Sequence, residues 1–128
     1  MSYDLMVFDP SVAPRNRAEF MAWYDRQTEW SEGHSYNDPA VAAPALRAWF
    51  HDMREFFPPM NGPFAVRSDD AVVTDHCIGQ AAIYSAFAWS VAEGAFLKMR
   101  ELAIKHGLGF YDVSGDSDEI LFPPYPGV

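Results

Sequence analysis

Breaker residues cut this chain into short pieces, and that punctuation limits the fold more than any other feature. Asp9-Pro10, Pro58-Pro59, Asn61-Gly62-Pro63 and Pro123-Pro124 each interrupt regular structure, because proline offers no N–H and fixes its own φ. Gly79-Gln80 reads as a turn and Gly107 as a helix C-cap. Between the breaks there is room for short strands and for helices of roughly three or four turns.

The apolar periods sort the pieces. Tyr3 to Phe8 reads as a strand. Asn16 and Glu19 have capping-box spacing, and Phe20, Trp23 and Tyr24 follow at helical intervals. Ser31 to Ala43 reads as a polar loop. Pro44 suits the first position of a second helix, whose apolar face is Leu46, Trp49, Phe50, Met53 and Phe57. Val72 to Ile78 and Ala81 to Trp89 read as a hairpin. Ser90 and Glu93 form a second capping box, opening a helix with Ala92, Ala95, Phe96, Met99, Leu102 and Ala103 on one face. Phe110 to Val113 and Glu119 to Phe122 read as strands around a turn, and Pro123 to Pro126 as a tail.

The predicted order is β-α-α-β-β-α-β-β. Without the extra helix and the last strand it becomes βαββαβ, the ferredoxin-like order. The expectation is one α+β domain over residues 1–128, an antiparallel or mixed sheet with helices packed on one face.

Apolar residues make up 49% of the chain and aromatics 16%, enough for a core without staples. The single Cys77 cannot form an internal disulfide. The opening MSYDLMVFDP lacks the basic run of a secretory leader, so a reducing, cytoplasmic setting is expected. No stretch approaches the roughly 20 apolar residues of a membrane span. The net charge is −9, and the nine Lys and Arg are scattered. Nucleic acid and membrane are therefore not expected partners. An acidic surface instead speeds encounter with basic proteins.

No catalytic, cofactor-binding or metal-binding motif emerges. The histidines are His34, His51, His76 and His106, with no HxxxH or CxxC spacing among the candidate ligands. His76 and Cys77 are neighbours on a strand and point to opposite faces. His51 falls off the apolar stripe and reads as solvated, and His106 sits where a helix dipole favours its cation. GxSxG, GxxxxGK[ST] and GxGxxG are absent. Asp112, Asp116, Asp118 and Glu119 miss the calcium-loop register and read as a solvated turn. The most informative stretch runs from Glu29 to Asp38, mixing acids with aromatics in a loop. Expected partner contacts are Glu29, Trp30, Glu32, His34, Tyr36 and Asp38, joined by Asp116, Asp118 and Glu119.

Three stretches carry a resemblance: Ser2-Tyr3-Asp4-Leu5, then Ile83-Tyr84 with Phe87-Ala88-Trp89-Ser90, then His106-Gly107-Leu108-Gly109-Phe110-Tyr111-Asp112. The pattern resembles a group of small acidic bacterial proteins of unassigned function. Some of these look like immunity proteins of interbacterial toxin systems. The resemblance implies a non-catalytic cytoplasmic binding protein that neutralises a basic toxin domain and needs no cofactor. It carries over no functional residue. The alternative expectation is a small enzyme or small-molecule-binding domain, its aromatic pocket using His34, His76 or Cys77. A homodimer paired through a sheet edge is the third.

Overall fold

Alternation along the first strand decides the architecture. In β1 (Tyr3–Phe8), Leu5 and Val7 point to one side and Met6 and Phe8 to the other, and all four are buried. Both faces of the sheet must therefore be covered. The computed structural model describes residues 1–115 and 119–125. Its remaining strands are β2 (Asp75–Ile78), β3 (Ala82–Phe87), β4 (Gly109–Tyr111) and β5 (Ile120–Leu121). They form one antiparallel sheet in the order β2-β3-β1-β4-β5. The helices are α1 (Arg17–Gln27) between β1 and β2, α2 (Pro44–Met53) after it, and α3 (Ala92–Lys105) between β3 and β4.

The first face is closed. Leu46, Trp49, Phe50 and Met53 of α2 and Ala95, Met99, Leu102 and Ala103 of α3 pack on Leu5, Val7, Ile83, Phe87 and Phe110. Each large side chain fully buried here contributes roughly 1.5–3 kcal/mol. The Trp49 indole N–H donates to the Met99 carbonyl at 3.3 Å, so its one polar atom is satisfied.

The helices do not share one face, which corrects the expectation. α1 lies on the opposite side, where Phe20 and Trp23 pack with Met6, Phe8, Ala82 and Tyr111. The Phe8 ring meets Phe20 at 5.0 Å, Trp23 at 5.9 Å and Phe122 at 5.2 Å. Gly109, paired with Phe8, makes room for that ring, since a Cβ there would overlap it. The physical reason for two faces is the second apolar set of β1, Met6 and Phe8, which one layer of helices would leave wet.

Several boundaries differ from the periodic reading. Asn16 caps α1 by accepting from the Glu19 N–H. The Ser90 cap does not form: a 3-10 turn spans Trp89–Val91, and Val91 precedes α3 without a side-chain cap. Trp89 packs on Tyr3 at 5.1 Å, and Val91 and Ala92 pack on the core, tightening the chain just before the helix. Strands β2 and β3 are shorter than expected, and α2 ends at Met53, with Phe57 still buried in the following turn. His51 is not simply solvated: Arg54 Nε donates to its Nδ1 at 3.2 Å, and Phe64 packs on its ring. Tyr125 of the tail belongs to the core, because it is buried and its hydroxyl donates to the Leu108 carbonyl at 2.7 Å; Pro126 lies outside the described residues. Asp116 and Asp118 lie outside the described residues. No described helix is long and apolar enough to cross a membrane.

Candidate functional site

α1 has eleven residues and covers only part of its face. Beyond it the sheet presents a polar shelf. The register places Asp75, Ala86 and Asp4 in one row across β2, β3 and β1, with Cys77 and Tyr84 in the next. Asp4, Asp75, Cys77 and Tyr84 are all half-buried. The Tyr84 hydroxyl donates to Asp4 Oδ2, and Tyr24 of α1 packs against the same buried cluster. Ser2 Oγ donates to Asp4 Oδ1 at 2.5 Å, and the Asp4 N–H donates to Ser114 Oγ at 2.8 Å. Burial raises the Tyr84 pKa, and its bond to Asp4 raises it further. Burial also pushes the Cys77 thiol up to about 11, reinforced by Asp75 and Asp4. Cys77 is thus a thiol at neutral pH, the opposite of an activated nucleophile.

The loop between α1 and α2 borders this shelf. Trp30 has φ +54°, a left-handed backbone that bulky residues rarely adopt. Its ring meets Tyr36 edge-on at 5.1 Å and Tyr84 at 5.9 Å, yet 38% of the residue stays exposed. Two residues on, Glu32 Oε1 lies 2.6 Å from His34 Nε2 and accepts from the Gln80 N–H at 3.1 Å. The Glu32 N–H donates to the Tyr36 hydroxyl at 2.6 Å, and the Ile78 N–H donates to the Tyr36 carbonyl at 2.9 Å. These bonds fasten the loop to β2 and to the β2–β3 turn. Asp38 Oδ1 accepts from the Ala40 N–H at 2.9 Å and caps a 3-10 turn at Pro39–Val41.

The expected contact residues therefore divide. Glu29 and Trp30 are exposed at the shelf's border. Glu32, His34 and Tyr36 hold the loop in place, and Asp38 holds a cap. Glu119 is exposed but belongs to the β4–β5 hairpin, where its carbonyl accepts from the Asp112 N–H at 3.0 Å. That hairpin is at the opposite edge of the sheet from β2, so Glu119 does not join the loop residues. Asp4, Tyr24, Asp75 and Tyr84 are not among the expected contact residues, and the structure adds them. The signal was present: alternation in β1 puts Asp4 on the side of Met6 and Phe8, but placing every helix on one face hid what that side carries.

His76 and Cys77 do point to opposite sides of β2. His76 is buried on the closed face beside Phe50 and Phe87. Its Nε2–H donates to the Phe57 carbonyl at 2.9 Å, and its Nδ1 accepts from Ser85 Oγ at 2.7 Å. One neutral tautomer satisfies both bonds, and burial pushes its pKa down to about 4. His106 Nε2 instead meets Asp52 Oδ2 at 2.7 Å, an oxygen shared with Lys105 at 2.8 Å. Among the described residues no pocket opens, and no three His, Cys, Asp or Glu side chains gather as a metal-binding group. No protein-family model, curated protein or solved structure matches this chain.

Proposed function

We propose that this chain is a non-catalytic cytoplasmic binding protein that acts by blocking a basic protein partner, with neutralisation of a bacterial toxin domain as its most concrete form. The observation that carries this reading is how the charge is divided. Helices α2 and α3 hold four cations (Arg47, Lys98, Arg100, Lys105) against three acids (Asp52, Glu93, Glu101). With −9 on the whole chain, −10 therefore falls outside those two helices. Asp4, Asp75 and Glu29 lie on or beside the half-open shelf, next to the exposed Trp30. An acidic, partly aromatic face suits fast capture of a cationic surface.

The state of the reactive side chains supports binding over bond-making. Cys77 is held as a thiol beside two carboxylates, and His76 is sealed in the core on the other side of its strand. We also infer a ferredoxin-like variant, in which β1-α2-β2-β3-α3-β4 is the repeated trace and α1 and β5 are additions. The strand order β2-β3-β1-β4 supports that reading.

The experiment is co-expression with the product of the adjoining gene. The expected result is a toxin whose growth arrest this chain relieves, through a complex that forms more slowly as salt rises. An innocuous product, or a toxin left active, would contradict the immunity reading. A complex indifferent to salt would contradict the electrostatic one.

A further inference from the structure

We propose that Glu32 and His34 form a proton-operated latch, in which the imidazolium of His34 holds the loop between α1 and α2 against the β2–β3 turn and loss of its proton loosens that hold. His34 Nδ1 lies 3.0 Å from the Ser35 carbonyl, and Nε2 lies 2.6 Å from the Glu32 carboxylate. Both neighbours are acceptors. A neutral imidazole has one N–H and can serve only one of them, whereas the imidazolium donates to both. His76 shows the contrast, because a hydroxyl and a carbonyl flank its two nitrogens and the neutral ring satisfies both.

The latch has a load. The same Glu32 oxygen that meets His34 also accepts from Gln80 in the β2–β3 turn. Glu32 Oε2 sits close to Gly79, where a Cβ would come within 3.0 Å of it. The His34 ring lies on Tyr36 at a centroid distance of 4.6 Å, and the Tyr36 carbonyl takes the Ile78 N–H at the edge of β2. Trp30 leans on that same Tyr36 ring. The ionisable groups facing His34 are Glu32 and Tyr36 of its own loop, while the β2–β3 turn brings Gly79 and Gln80, which do not ionise. The bond to Glu32 raises the His34 pKa, followed by the bond to the Ser35 carbonyl. The hold is complete below the free-histidine value of 6.5 and fades as pH rises through the higher folded value. That the latch governs how Glu29 and Trp30 meet a partner rests on the binding function proposed above. The latch itself belongs to the free chain.

The test is therefore run on the free chain, by NMR through a pH titration without partner. The His34 ring is expected to titrate above 6.5, with the Gln80 and Ile78 amides and the Trp30 indole shifting at the same midpoint. Amide exchange at Gln80, corrected for its intrinsic pH dependence, is expected to speed up roughly five-fold across that midpoint. Glu32→Gln should bring the His34 midpoint back toward 6.5, and His34→Gln should abolish the coupled shifts. A His34 ring that titrates at or below 6.5 would overturn the proposal. So would Gln80, Ile78 and Trp30 signals that stay still while His34 titrates, or that move unchanged in His34→Gln. None of these outcomes depends on finding a partner, so failure of the latch and failure of the binding reading are separate results.

Discussion

The two faces of this sheet solve the same burial problem to different degrees. On one face α2 and α3 together seal Leu5, Val7, Ile83, Phe87 and Phe110, and even His76 is held there in a neutral, fully bonded state. On the other, α1 is the single helix over Met6, Phe8 and Tyr111, helped by Ala13 and Phe122, and the Asp4–Asp75 end stays open, bordered by a fastened loop. The difference teaches where function can reside. The closed face has little freedom to change without loss of the fold, whereas the half-open face carries Asp4 and Asp75 and is bordered by the exposed Trp30 indole.

That contrast is sharpest in stability. Trp49→Ala on the closed face should cost about 3–5 kcal/mol, read as a lower urea midpoint, because a fully buried ring leaves a cavity and its hydrogen bond to the Met99 carbonyl is lost. A loss below about 1 kcal/mol would mean that this face is less tightly packed than the structure implies. The same face should be acid-labile. The His76 pKa is depressed, so its contribution is present above 6.5 and is lost as pH falls toward about 4. The loss should reach roughly 3 kcal/mol at the acid end. Urea unfolding across that range measures it, and His76→Gln should flatten the profile there.

The α1 face predicts smaller effects. Gly109→Ala should cost about 1–3 kcal/mol, since the new Cβ displaces the Phe8 ring from beneath α1. Trp30→Gly should change stability by less than about 1 kcal/mol. It relieves a left-handed backbone while losing two ring contacts, and these oppose one another. A loss as large as that of Trp49→Ala would erase the distinction between the faces.

How much of this was legible in the sequence follows from the range of each signal. Helix faces and strand alternation are local, so Leu46, Trp49, Phe50 and Met53 were readable as a stripe, as were the β1 strand and the loop from Glu29 to Asp38. The opposition of His76 and Cys77 was readable too, because it needs only the two-residue period of a strand. The layer assignment was not. Met6 and Phe8 announce a second buried face only when both sides of β1 are read together. The shelf depends on register across three strands, which brings Asp75 and Asp4 level with Ala86 over long sequence separations. Acidity likewise carries no information about which sheet edge a turn occupies, so the distance of Glu119 from the loop of Glu29 and Glu32 emerges only with the strand order. The Ser90 capping box is a local signal as well, but the chain there takes a 3-10 turn with Trp89 packed on Tyr3, and Ser90 caps nothing.

Contact between the half-open face and a basic partner, as proposed, is tested most directly by titrating a lysine-rich peptide into the isotope-labelled chain and following amide and indole chemical shifts. Salt-sensitive shifts are expected, centred on Asp4, Asp75, Tyr84, Glu29 and Trp30, with α2 and α3 unmoved. Shifts centred on α2 and α3, or spread evenly over the molecule, would contradict it.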